Sequence, residues 1–259
     1  MSAVNFRRTY LLNETYESIK ARAVNALGKY IGYADLYTFN DLDRSVTFSS
    51  ERLIPVKPTN RPRILLLFSN PHPNSVHQGM FLASGVNKQE SLFWPTMRAA
   101  GWILNTAGIR NPKQLAEIFL KGEYEGPFEL LFYCYYAFPT HYPEHIRKIF
   151  GGEYFRQSIE PEAMDEFRKT VQETSIKAVV TFNKKIFNLV ADTHIERYIN
   201  RLLAGEVIES RIKGIKRNIP IFLTFPTGWI YHKEYKQYRK TSLERIKAVI
   251  GNGSITEEK

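Results

Sequence analysis

Apolar residues gather in four short, nearly unbroken runs. These are Arg63–Ser69 (RILLLFS), Phe128–Tyr136 (FELLFYCYY), Lys177–Phe182 (KAVVTF) and Ile219–Phe225 (IPIFLTF). Runs without polar alternation predict strands covered on both faces. Between them, apolar positions recur every three to four residues over 91–105, 112–121, 143–150, 161–174, 183–191 and 193–204, the period of helices with one buried face. Upstream, Tyr16, Ile19, Ala23 and Leu27 mark a helix over 14–27, with Asn13 placed to cap it. Residues 34–62 read as irregular and end on Pro55, Pro58 and Pro62. A last helix near 240–250 ends at Gly251. Strands alternating with helices imply βαβ units and a mostly parallel, four-stranded sheet with helices on both faces, a three-layer α/β/α domain. The expected organisation is a helical and irregular extension (1–60) packed on an α/β domain (61–251), followed by a flexible tail (252–259). In such sheets ligands bind beyond the carboxyl ends of the strands. The segments after the strands are therefore where chemistry is expected.

Composition narrows the classes. Of 259 residues, 43% are hydrophobic, enough to bury a core. No apolar run approaches the roughly 20 residues needed to cross a bilayer, and no apolar stretch follows the basic residues near Met1, so neither a membrane partner nor a secretory leader is expected. Cys134 is the sole cysteine, which excludes a disulfide framework and Cys-rich zinc or iron–sulfur sites. These points read as a cytoplasmic monomer. Charge adds more. Lys and Arg exceed Asp and Glu by 36 to 26, and segment 211–247 alone holds ten basic and two acidic residues. That segment interleaves its charges with Trp229, Tyr231, Tyr235 and Tyr238, the mixture that grips phosphates and stacks on bases.

Two segments carry candidate chemistry. Phe68–Phe81 (FSNPHPNSVHQGMF) follows the first strand directly. Pro71 and Pro73 stiffen the turn and push Asn70 toward an extended conformation, which leaves its amide to donate and accept at once. Phe81 offers a ring face for stacking, with Leu82 one position on. The second segment is Phe225–Lys233 (FPTGWIYHK), where Pro226 and Gly228 predict a tight turn tipped by Trp229 and Ile230. An apolar tip ringed by Lys and Arg suits a wedge that enters a duplex. His72, His77, His141, His145 and His232 lie in or beside these loops, but no close-spaced ligand pair on a helix appears, and no metal or other cofactor is called for.

Taken in order, LFSNPHPNSVHQGMF, LFWPTMRAAGW (Leu92–Trp102), KAVVTFNKKIFNLV and Phe225-Pro226-Thr227-Gly228-Trp229-Ile230 resemble the motifs of the uracil-DNA glycosylase superfamily. The best match is to its mismatch-specific uracil/thymine branch, and the resemblance spans roughly residues 60–250. It implies a three-layer fold around a four-stranded parallel sheet and a nucleotide flipped out of the DNA stack into a pocket. It also implies hydrolysis of the N-glycosidic bond, with Asn70 orienting the attacking water. On the same grounds Ser69, Pro71, His72, Phe81, Tyr136 and Phe225 fall at the base. Thr227, Gly228, Trp229, Ile230, His232, Lys233 and Lys236 fall on DNA. Two positions depart from the pattern. Phe225 stands where the family has a His or Asn that assists the leaving base, and the second strand ends in Tyr133-Cys134-Tyr135-Tyr136 with no amide. Tyr136, Thr140 and His141 are the available substitutes.

Three function classes follow. The first is a DNA glycosylase acting on uracil or a related damaged base. The second is a nucleic-acid-binding protein on the same fold without catalysis. The third is an unrelated α/β enzyme acting on a small molecule.

Overall fold

The structure is a computed structural model that describes residues 4–28, 34–55, 57–83, 90–227 and 235–252. Its elements, in chain order, are β1 (Asn5–Leu11), α1 (Tyr16–Leu27), β2 (Tyr37–Asn40), β3 (Ser45–Leu53), β4 (Arg63–Phe68), α2 (Pro73–Gln78), α3 (Phe93–Ala99), α4 (Pro112–Lys121) and β5 (Glu129–Cys134). Then come α5 (Pro143–Phe150), α6 (Gly152–Tyr154), a π-helical turn (Phe155–Ile159), α7 (Glu160–Glu173), β6 (Ala178–Thr181), α8 (Lys184–Val190), α9 (Tyr198–Leu203), β7 (Ile208–Arg211), β8 (Pro220–Leu223) and α10 (Tyr235–Gly251). The four apolar runs became β4, β5, β6 and β8. They pair in parallel as β5-β4-β6-β8.

The sheet is larger than the four strands expected. Among the described residues eight strands form one mixed sheet, in the order β1-β3-β5-β4-β6-β8-β7, with β2 also paired to β3. The added strands are antiparallel: β1 and β2 to β3, β3 to β5, and β7 to β8. Residues 34–62 are thus not irregular, and segment 1–60 adds three strands as well as a helix. The reason is physical. Strands of this kind keep one face toward polar surroundings, so their sequences alternate and carry charge. NFRRTYL and SVTFSSERL do both and lack the continuous apolar signature.

Alternation along each central strand divides the core in two. Leu65, Leu67, Leu131, Tyr133, Val179 and Ile221 point to one side, where α1, α5, α7 and α8 pack. Ile64, Leu66, Phe68, Phe132, Val180 and Phe222 point to the other, against α3, α4 and α10. Both helix sets bury their apolar stripes on the sheet, as Ile146, Ile149 and Phe150 of α5 and Leu115, Ala116 and Phe119 of α4 show. The amino-terminal ends of β4 and β5 are locked by a buried ion pair. The Arg63 guanidinium donates to Glu129, whose carboxylate is fully buried and also accepts from the Thr59 amide at 2.8 Å.

The carboxyl ends are stitched as well. The amides of Tyr135, Tyr136 and Thr140 donate to the carbonyls of Phe68, Ser69 and Pro71, at 2.9, 2.9 and 3.1 Å. The loops leaving β4 and β5 therefore run side by side beyond the last formal strand residue, and they carry the site.

Candidate functional site

A pocket of about 380 Å³ opens at these carboxyl ends. Its walls come from the loop after β4 (Ser69, Asn70, His72), the turn after α2 (Phe81), the end of β5 and the loop after it (Cys134, Thr140, His141), the start of α8 (Asn183), the segment after β8 (Pro226, Thr227) and one residue of β3, Glu51. Phe68, Phe81 and Phe182 form an aromatic wall, with Phe68 and Phe182 stacked at 5.3 Å and 9°. Phe81 packs on Phe68 and Phe132 at 5.7 and 5.6 Å.

Asn70 is held rigidly. Its Nδ2 donates to the carbonyls of Thr140 (2.7 Å) and Pro71 (3.1 Å) and lies 3.0 Å from the Thr140 hydroxyl. A carbonyl only accepts, so these contacts fix which end of the amide is nitrogen. The Oδ1 is the end left to accept; the Ser69 hydroxyl donates to it at 3.0 Å, and a carbonyl oxygen has a second lone pair. Pro71 contributes through its carbonyl, not its ring.

His72 has a structural and an electrostatic part. It is the N-cap of α2, and its Nδ1 accepts from the Asn74 amide at 3.2 Å. The proton must then sit on Nε2, which donates to Nδ1 of His141 at 3.0 Å. Burial, reinforced by His141, pushes the His72 pKa down to about 4. His141 is lowered too, by burial and by His145. At neutral pH this pair is uncharged and directional.

Two of the expected base contacts go elsewhere. Tyr136 and Phe225 belong to the core on the opposite side of the sheet from Phe68 and Phe81. The Tyr136 ring packs on Phe155 at 5.4 Å, and Phe225 is buried with its ring 6.3 Å from Tyr235. Neither lines the pocket. Of the residues expected on DNA, Thr227 lines it and Lys236 is exposed on α10. Gly228, Trp229, Ile230, His232 and Lys233 lie outside the described residues.

Among the described residues, the basic side chains of segment 211–247 go to different places. The Arg217 guanidinium donates to the Ile176 carbonyl and shares a groove with Arg63 and Lys177 at the amino-terminal ends of the strands. The Arg245 side chain binds the Gly205 carbonyl, and Lys247 donates to the Ala100 carbonyl just past α3 at 2.6 Å. Arg239 differs. It is 7% exposed, its Nε and Nη2 have no hydrogen-bond partner among the described residues, and it lines a smaller cleft with Pro226 and Thr227, which also border the main pocket.

Glu51 escaped the sequence reading. It is 3% exposed, its Oε2 has no hydrogen-bond partner among the described residues, and burial pushes its carboxyl well above the ordinary value. Beside it, burial and then Glu51 raise the Cys134 thiol, so this cysteine stays protonated and is a poor nucleophile. The available signal was the alternation of SVTFSSERL, which as a strand places Glu51 on the Leu53 face.

Among the described residues, no three His, Cys, Asp or Glu side chains cluster to hold a metal ion, and no helix is long and apolar enough to cross a membrane. Neither a scan against protein-family models nor a comparison with curated proteins finds a match to this chain.

Proposed function

We propose that the chain is a DNA glycosylase of the uracil-DNA glycosylase kind, hydrolysing the N-glycosidic bond of a flipped base such as uracil. The observation that carries the reading is Asn70, a side-chain amide pinned through its nitrogen with its oxygen left to accept, inside an aromatic-walled pocket. The pocket volume of about 380 Å³ falls within the roughly 300–1,000 Å³ of small-molecule sites. The parallel block β5-β4-β6-β8, with helices on both faces and a pocket past its carboxyl ends, agrees with the three-layer arrangement that the motifs imply.

In this mechanism the Asn70 oxygen accepts a hydrogen bond from water and aims its lone pair at the sugar carbon. The glycosidic bond breaks, its electron pair leaves with the base, and the water oxygen bonds to the sugar carbon and releases a proton to solvent, from which the departed base anion is protonated. An amide cannot take that proton at neutral pH, so turnover is slow. Phe225 offers no donor to the departing base, and losing one such stabiliser costs about 10²–10³ in rate. The same residue favours a second reading, a protein that binds flipped bases in nucleic acid without cutting.

Single-turnover incubation with duplexes carrying uracil, hypoxanthine or mismatches decides between the readings. The expected result is abasic sites that disappear in Asn70→Ala, with melting curves confirming that the variant folds. Base-selective binding without abasic sites supports the second reading. Equal product from Asn70→Ala refutes the mechanism.

A further inference from the structure

We propose that Glu51 reads the edge of the bound heterocycle, pairing as a neutral carboxylic acid with a ring N–H and the carbonyl beside it. The inference rests on the reading of this pocket as a base site and names the residue that selects its ligand.

Three observations carry it. Glu51 lines the pocket together with the aromatic wall of Phe68, Phe81 and Phe182. It is nine-tenths buried and more, yet its Oε2 has no partner. Natural proteins rarely leave a buried polar atom without a bond, so an exception calls for an explanation, and here the atom belongs to a pocket-lining residue. Third, the competing candidate is spent: the Asn70 nitrogen is engaged by Pro71 and Thr140 and is not offered to a ligand edge.

The charge state follows from the surroundings. Among the described residues no ion pair reaches Glu51. The titratable groups lining the same pocket are Cys134 from β5, His72 from the loop after β4, and His141 and Tyr142 from the loop after β5. Burial holds His72 and His141 below their ordinary values and Cys134 above its own, which favours the neutral form of each. Glu51 also borders a second groove, between β1, β3, β5 and α7, together with Arg7, Arg8 and Arg52, and there Arg8 is already paired with Glu162 and Glu166 of α7. With no cation paired to it among the described residues, burial keeps the proton on this carboxyl. It then offers one O–H donor and one carbonyl acceptor side by side. A cyclic amide edge, such as N3–H with O4 of uracil or N1–H with O6 of hypoxanthine, matches this in two hydrogen bonds. An N-alkylated edge does not.

The test is a ligand-observed NMR titration of the full chain with free uracil and with 3-methyluracil, whose ring N–H is blocked. The wild type is expected to bind uracil at least about tenfold more tightly than 3-methyluracil, the size of losing one good hydrogen bond and leaving its partner bare. Glu51→Gln keeps a donor and an acceptor and is expected to stay within roughly threefold, whereas Glu51→Leu loses about tenfold or more. Melting curves accompany each variant, and the 3-methyluracil comparison holds without any variant. Equal binding of the two ligands, unchanged uracil binding by Glu51→Leu, or no binding by the wild type overturns the inference. Glu51-dependent uracil binding without base release from DNA overturns the glycosylase reading alone. Base release that persists in Glu51→Leu overturns the Glu51 inference alone.

Discussion

Replacing Glu51 with glutamine is expected to stabilise the protein, and increasingly so as pH rises. Burial holds the Glu51 carboxyl well above its ordinary value of 4.5 in the folded state, while in the unfolded chain it ionises near that value. Between the two, the folded state binds one more proton than the unfolded state. Stability therefore falls as pH rises through this window, by up to about 1.4 kcal/mol per pH unit. Glutamine has nearly the same shape and does not titrate, so the variant escapes this loss. Within this window each pH unit should widen the gap between variant and wild type by up to about 1.4 kcal/mol. At about 2–4 °C per kcal/mol, that is up to roughly 3–6 °C in Tm per pH unit. His72 acts in the opposite sense. Its depressed pKa gives stability that is complete above the ordinary imidazole value and is lost as pH falls toward about 4. It is present in both proteins and cancels in the difference. The Cys134 thiol is shifted upward from an already higher value and lies above the window. Melting both proteins at half-unit steps from pH 5 to 7.5 measures the gap. A gap that stays constant, or that narrows as pH rises, would mean that Glu51 is ionised in the folded protein, and the reasoning would fail.

Further expectations follow from the same geometry. Arg239→Gln removes a buried guanidinium with two unpartnered nitrogens; DNA affinity should drop, and the slope of log affinity against log salt should fall by about one if Arg239 meets a phosphate. An unchanged slope in a salt-series titration removes Arg239 from the interface. Thr140→Val deletes the hydroxyl that sits 3.0 Å from the Asn70 nitrogen and donates to the Tyr142 carbonyl. Loss of about 1–2 kcal/mol of orientation should slow single-turnover base release roughly tenfold, and an unaltered rate shows that the backbone carbonyls alone hold the amide. Arg63→Met leaves the Glu129 carboxylate buried without its cation, at a cost of about 3–5 kcal/mol in denaturant unfolding. A loss below about 1 kcal/mol would show that the Thr59 amide suffices.

The central strands were legible because burial on both faces writes itself as continuous apolar runs; RILLLF and ELLFYC leave little choice. Helices α4 and α5 were legible to the residue, since Pro112 and Pro143 open them and Gly122 and Gly151 close them. β1, β2 and β3 were not, because their faces alternate and their fit depends on pairing with each other and with β5, a long-range fact. The same divide runs through the pocket. Ser69, Asn70, His72 and Phe81 follow a strand in one local segment and could be read together. Glu51 arrives from a distant hairpin, and an isolated acid among serines carries no local mark. Tyr136 sits one residue out of phase: Cys134 points into the pocket side, and the chain beyond it turns Tyr136 into the opposite core.

The pairing of β3 to β5 rests on a short ladder, Arg52 opposite Tyr133 and Leu53 opposite Phe132. Val46 and Phe48 point to one core, Leu53 and Glu51 to the other. A slip of one residue in this ladder would exchange the two faces. It would drive Arg52 into the pocket and turn the buried acid outward, replacing a neutral wall with a fixed positive charge. The hairpin that carries β3 is therefore a place where one inserted or deleted residue changes what the pocket accepts while every residue of the loop after β4 stays the same.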